Sequence, residues 1–213
     1  TPDEATVLRK FIYKNSTPTD VDIYTLKGDY SQPLGKAKLD LGFKFSYVKT
    51  DNTFDFWDVV NNVDVKNLDR SNTFTFKENI NAAYVNYGKR LNPKLNLQAG
   101  LRVEQTNSEG QLTSAKPQTD DNVKRTYLDV FPSASASMNL NPKNMLNVSV
   151  TRRIDRPSYQ QLNPFENKLD ELTYQKGNAF LKPQYTNKLD VAHTYKYKYT
   201  TTFSFSRTRD FFT

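Results

Sequence analysis

Cysteine is absent from the 213 residues, which excludes disulfides and thiolate metal sites and leaves the compartment open. Histidine occurs once, at His193. A Ser-His-Asp triad or a histidine metal site would have to use it with no second imidazole available. It lies in a strand-like segment in phase with Leu189 and Val191, and reads as a buried or boundary side chain. Gly110 and Gly177 stand alone and no glycine opens a helix, so no phosphate-cradling loop is present, nor is a calcium loop of EF-hand type. There is no run of about 18 apolar residues, which excludes a transmembrane helix but not a transmembrane β-strand, for which about 9–11 alternating residues suffice. The start, Thr1-Pro-Asp-Glu-Ala, has neither the charged n-region nor the apolar h-region of a signal peptide. The last residues, Phe203 to Thr213, stop inside or just beyond a strand, and the chain is expected to be a piece of a longer precursor.

Hydrophobic residues make up only 36% and mean hydropathy is −0.77, poor for a soluble β-sandwich with two inward faces to fill. Aromatics nevertheless reach 13%, with 14 Phe and 13 Tyr, whereas a disordered chain is depleted in them. The combination suits a wall greasy on one side and wet on the other. The net charge of +7 raises nucleic acid or an anionic membrane surface as partners. The cations are spread along the chain, however, with the densest groups at Lys36/Lys38, Lys196/Lys198 and Arg152/Arg153/Arg156, so solvated turns and loops are expected and no nucleic acid. The carboxylate pairs Asp120/Asp121 and Asp170/Glu171 fall in expected loops, and nothing in their spacing sets two carboxylates across a pocket. No enzyme activity, cofactor or metal is expected.

What the chain does have is a period of two. In Ala37–Lys49, Leu39, Leu41, Phe43, Phe45 and Tyr47 fall on one face and Lys38, Asp40, Gly42, Lys44 and Ser46 on the other, as successive strand side chains must. The same alternation predicts strands at Asp20–Tyr30, with Val21 and Ile23 in phase, and at Asn72–Tyr87, with Phe74, Phe76, Ile80, Ala82 and Tyr84 in phase. It recurs at Lys94–Thr106 with Leu95, Leu97, Ala99, Leu101 and Val103. Further strands are read at Arg125–Leu140, where Pro132 marks a bulge or an edge, and at Met145–Thr151, Thr186–Tyr195 and Thr200–Phe212.

Short turns near 31–36, 88–93, 141–144 and 196–199 alternate with long polar loops at 51–71, 107–124 and 152–185. This order belongs to an up-and-down barrel in an outer membrane, with short periplasmic turns and longer extracellular loops; a Greek-key sandwich has no reason to keep it. Tyr30, Tyr84, Tyr87, Tyr195, Tyr197 and Tyr199 near the short turns fit an aromatic girdle at the membrane–water boundary. The fold class read from the chain is all-β: an antiparallel transmembrane β-barrel, residues 1–213 supplying about eight strands of a larger one. The alternatives are a soluble all-β binding module and a barrel with a structural or secretion role.

One stretch is more specific. Thr151-Arg-Arg-Ile-Asp-Arg-Pro-Ser-Tyr-Gln-Gln-Leu-Asn-Pro-Phe165, followed by Gly177-Asn-Ala-Phe-Leu-Lys-Pro-Gln-Tyr-Thr-Asn187, resembles the barrel region of TonB-dependent outer-membrane receptors, and more closely their outer membrane β-barrel family branch. The resemblance covers nearly the whole chain. It departs at Ala179, where the family usually has proline. It implies a barrel of about twenty-two strands with a plugged lumen, a cell outer-membrane location, and lipid, a plug domain, an energising inner-membrane complex and a small ligand as partners. Within the motif, Arg152, Arg153 and Arg156 are expected to crowd around Asp155 and to pin the loop base or hold the plug by charged hydrogen bonds. Tyr159, Asn163 and Phe165 complete the set of candidate loop and plug contacts.

Overall fold

The computed structural model describes residues 12–117, 120–168 and 173–212. Its strands are β1 (Tyr13–Ser16), β2 (Thr19–Leu34), β3 (Ala37–Val60), β4 (Val63–Lys66), β5 (Asn72–Asn92), β6 (Leu95–Ser114), β7 (Asn122–Asn141), β8 (Asn144–Asp155), β9 (Glu166–Lys168), β10 (Tyr174–Lys176), β11 (Gln184–Tyr195) and β12 (Tyr199–Arg209). One helical turn, α1 (Tyr159–Leu162), follows β8. Ten strands form one antiparallel sheet, in which the long strands run β2–β3–β5–β6–β7–β8–β11–β12. β1 continues the line of β2 along the upper part of β3, and β4 folds back on the end of β3. Among the described residues β9 and β10 pair only with each other. β2 and β12 do not pair, so the sheet is an open wall, the architecture of a partial up-and-down barrel.

The tight turns lie at one end of this wall. Gly35 opens the first with φ 62°, and Lys196 and Tyr197, with φ 51° and 56°, make the last. The two middle turns use one device: the Asn92 side chain accepts from the Lys94 N–H at 2.9 Å, and that of Asn141 from the Lys143 N–H at 3.0 Å. An Asn-Pro-Lys turn is thus closed by its own asparagine. At the other end Asn61 and Asn62, both with positive φ, form the two-residue hairpin between β3 and β4, a combination suited to a type I′ turn.

Register fixes the two faces. Leu39, Leu41 and Phe43 of β3 stand opposite Tyr87, Val85 and Ala83 of β5. Those in turn face Ala99, Leu101 and Val103 of β6, and the row continues through Ala134, Pro132 and Val130 of β7. This outer face is exposed: Phe43 is 52% accessible and Phe205 58%. Leu39 to Tyr47 spans about 26 Å of strand at ~3.3 Å per residue. At a barrel tilt of 35–45° that is roughly 20 Å of height, near that of a barrel's apolar band. Tyr30, Tyr87, Tyr195 and Tyr199 edge the band on the turn side, and the Tyr24 and Tyr47 rings, 6.4 Å apart, edge it on the other.

Above the band the apolar phase inverts. Phe54, Phe56, Phe74 and Leu112 are nearly inaccessible, and they occupy the inner face, as the pairs Asn52↔Phe74 and Phe74↔Leu112 show. The outer positions there are Asp51, Thr53 and Asp55. Lipid makes the outer face greasy lower down; above it water wets the outer face, and the core moves inside.

This inversion corrects several sequence expectations. Residues 51–71 are not a loop: β3 runs on to Val60, and β4 and a 3-10 turn at Leu68–Arg70 fill the rest. In 107–124 only 115–121 connects β6 to β7. The 152–185 segment contains the end of β8, α1, β9, β10 and the start of β11. Val21 and Ile23 face inward, opposite Thr50 and Val48. Phe74, Phe76, Ile80, Ala82 and Tyr84 share that inner face, and the Tyr84 hydroxyl donates to Asp29, so Tyr84 leaves the girdle. Pro132 causes no bulge against β6. It sits where the β7–β8 ladder ends, at Ser133↔Thr151, the edge that its missing N–H allows. Asp170 and Glu171 lie outside the described residues.

Candidate functional site

Beyond Thr151 the chain leaves β7 and crosses the inner face, where side chains replace the ended ladder. Arg156, at the start of the crossing, donates from Nη2 to Glu104 Oε2 at 2.7 Å and Thr106 Oγ1 at 3.0 Å, and from Nε to the Tyr127 hydroxyl at 3.3 Å. Glu104 and Thr106 lie two residues apart on the inner face of β6, and Tyr127 stands opposite Thr106 on β7. Glu104 also accepts from Arg102 Nε at 2.6 Å, so two guanidinium groups share one buried carboxylate. Burial pulls the pKa of Arg156 down, but the hydrogen bonds and charge interactions with Glu104 and Tyr127 together outweigh it and the net shift is upward.

The loop then folds on itself. Ser158 and Gln161 form a capping box around α1, the S-x-x-Q arrangement that satisfies two orphan N–H groups at once. The Asn163 side chain accepts from the Phe165 N–H at 3.1 Å, and Pro164 is fully buried. The return strand is clamped to this turn by Gly177 N–H to Asn163 O at 2.9 Å and Asn178 N–H to Gln161 O at 2.7 Å. A Cβ at Gly177 would meet the backbone oxygens of Asn163, Gln161 and Gln160 at 2.5, 2.7 and 2.8 Å, so this position requires glycine. Arg125, on the inner face of β7, closes the far side by donating to the Ala179 and Leu181 carbonyls. Tyr185 donates to Asp129 Oδ2 at 3.1 Å.

Between loop and wall lies a cavity of about 310 Å³, lined by Asn52, Phe54 and Asn72 from the wall and by Tyr159, Asn163 and Phe165 from the loop. The Phe54 and Phe165 rings are 6.5 Å apart across it. Among the described residues no charged side chain lines it; amides, a hydroxyl, a phenol and phenyl rings do.

The expected arginine cluster is therefore split. Only Arg156 takes the buried pinning position. Asp155 accepts from Gln184 Nε2 at 2.9 Å, not from an arginine. Arg153 is exposed on the inner face opposite Thr186. Arg152 lies on the outer face, its guanidinium carbon 5.0 Å from the centre of the Tyr185 ring. Alternate residues of a strand point to opposite faces, which a reading by sequence proximity overlooks. Glu104, Thr106, Arg125 and Gly177 escaped the sequence reading as members of the site. The available signal was a carboxylate at Glu104 in the strand phase that faces away from lipid. His193 shares a 2.8 Å hydrogen bond between Nε2 and Asn144 Oδ1, at the turn end of the outer face.

The Outer membrane protein beta-barrel family profile matches residues 1–213. The chain belongs to that family. As a member of the outer membrane β-barrel family it resides in the cell outer membrane, and the apolar outer face meets lipid. Three solved structures share the fold. The ferric yersiniabactin uptake receptor FyuA from Yersinia pestis matches with a TM-score of 0.63 at 13% identity, over 94% of this chain and 30% of that one. The copper transporter OprC matches with 0.63 at 15% identity, over 84% and 28%. The ferric citrate transporter FecA, unliganded, matches with 0.59 at 12% identity, over 86% and 26%. The chain thus spans less than a third of the length of these structures. No curated protein sequence matches it. The resemblance to TonB-dependent receptor barrels stands, and the soluble-module alternative falls with the outer-membrane location.

Proposed function

We propose that this chain is a wall sector of an outer-membrane active-transport receptor, with no catalytic role. The observation that carries the reading is the loop between β8 and β11. It lies against the inner face, is held there by Arg156 and Arg125, and leaves a neutral, aromatic-sided cavity beside Phe54. A barrel serving only as a structural element has no need of a buried carboxylate shared by two arginines to hold a loop inside its wall. The three structures of similar fold, an uptake receptor and two transporters, support the same reading. The plug domain then belongs to the rest of the protein, and the energised inner-membrane complex is its partner. Tyr159, Asn163 and Phe165 present the surface that a ligand or the plug meets, and Arg156 positions it.

The test is uptake and ligand retention by the full-length protein carrying Tyr159→Ala and Phe165→Ala together. Uptake should fall at least tenfold while the amount of folded barrel in the membrane is unchanged. Wild-type uptake by this variant would refute the proposed role of the loop.

A further inference from the structure

The outer face carries an arginine group that loop pinning does not use. Asn187 of β11 stands opposite Arg152 of β8 on one side and Arg207 of β12 on the other. All three therefore lie in one row on the lipid-facing side. Opposite residues of an antiparallel pair keep their Cβ atoms about 4.5–5.5 Å apart, so the two guanidinium groups flank a gap that a single anion can fill. Arg209 lies on the same face of β12, one step higher. Directly below, the next row is Val150, Leu189 and Phe205. Together with Pro132 and Ala134 this row floors a groove of about 450 Å³ that the arginines edge.

The height of the group is fixed by the strands. Arg207 lies eight residues up β12 from the girdle residue Tyr199, and Asn187 eight residues up β11 from Tyr195. Leu39 and Tyr47 are separated by the same distance along β3. The arginines thus sit at the upper edge of the apolar band, on the side away from the tight turns, which is the extracellular leaflet of an outer-membrane barrel.

Two other cations on this rim are paired within the protein. Lys49 pairs with Asp51 at 2.5 Å and Lys124 with Glu109 at 2.9 Å. Among the described residues Arg152, Arg207 and Arg209 have no carboxylate partner; Arg152 only stacks on Tyr185. Three guanidinium groups at a lipid boundary, above an apolar groove, suit a ligand with phosphate at the top and hydrocarbon beneath.

We propose that Arg152, Arg207 and Arg209, with Asn187, bind the phosphate-bearing headgroup of an outer-leaflet lipid whose acyl chain lies in the groove over Val150, Leu189 and Phe205. The site is independent of the transport reading, because it is on the opposite face of the wall from the loop and its cavity.

The experiment uses the full-length protein in detergent and native mass spectrometry. The probes are lipid A with its two phosphates, the same lipid with none, and inorganic phosphate as competitor. The wild type should retain the phosphorylated lipid at least tenfold more strongly than the dephosphorylated one, and millimolar phosphate should not displace it. Arg152→Gln, Arg207→Gln and Arg209→Gln combined should abolish that preference. Arg153→Gln, on the inner face of the same strand, should keep it. If the triple variant fails the heat-dependent gel shift of a folded barrel, Arg207→Gln alone is compared with Arg153→Gln, and a loss confined to Arg207 supports the site. Equal retention of the two lipids, wild-type retention by the Arg207 variant, or displacement by free phosphate would each overturn the proposal.

Discussion

Replacing Arg156 by Gln tests the pinned loop most directly. The substitution removes two charge-assisted bonds to the inner face of β6, at 2.7 and 3.0 Å, and leaves Glu104 only 8% accessible. Removing one partner of a buried pair costs about 3–5 kcal/mol, because the other charge stays desolvated and unpaired. Glu104 keeps Arg102 at 2.6 Å, so less than that full cost applies, and about 2–3 kcal/mol is expected. One tenfold change corresponds to about 1.4 kcal/mol, so the loop should open some 30- to 150-fold more often. The strands below keep their ladders, so the loss is local. Hydrogen exchange on the full-length protein should show the faster exchange in α1 and in the Gly177 and Asn178 amides, with β5 and β6 unchanged. Glu104→Gln in the Arg156→Gln background removes the stranded charge and should restore a large part of the protection. Unchanged loop exchange in the single variant, or no recovery in the double variant, would show that the Arg156–Glu104 pair does not hold the loop.

Gly177→Ala should break both backbone clamps of the return strand. At 0.5–1.5 kcal/mol per hydrogen bond the expected cost is about 1–3 kcal/mol, read as faster proteolytic nicking of the loop without loss of folded barrel. Ser158→Ala should remove the cap of α1, costing about 0.5–2 kcal/mol, and should speed exchange at Gln161 alone among the loop amides. Phe43→Arg, midway along the apolar band of β3, should cost about 2–4 kcal/mol of membrane folding, seen as a lower urea midpoint in lipid vesicles. Lys44→Leu on the opposite face of the same strand should cost far less. Equal losses at 43 and 44 would contradict the assignment of faces.

The membrane part of the wall was legible because one rule governs it: lipid outside, water inside, period two. Leu39 to Tyr47 and Leu95 to Val103 declare their face without help. The upper part was hidden because the rule changes sign there. Phe54, Phe56 and Leu112 are apolar at the positions where a lipid-facing strand is polar, so the pattern looks broken although the strand continues. The motif from Arg152 to Phe165 announced itself by its residues, and the structure gives Arg156 the pinning contact. What could not be read was which arginine turns inward, since that depends on where the β7–β8 ladder ends. Glu104, Thr106 and Tyr127 come together only across two strands, at separations of 52, 50 and 29 residues from Arg156, and no local pattern encodes that.

The switch of apolar parity along a single strand has a mechanical result. It makes each long strand its own depth gauge. Sliding β3 by two residues preserves its pairing parity, yet it would sink Asp51 toward hydrocarbon or lift Phe45 into water, so the vertical seat of the wall is set without any separate anchor. Deleting one residue between Tyr47 and Asn52 would instead align Phe54 and Phe56 with Phe43 and Phe45. The result is a strand with one greasy edge from top to bottom, a better amphipathic ribbon in isolation and a worse component of a wall that must stop at the waterline.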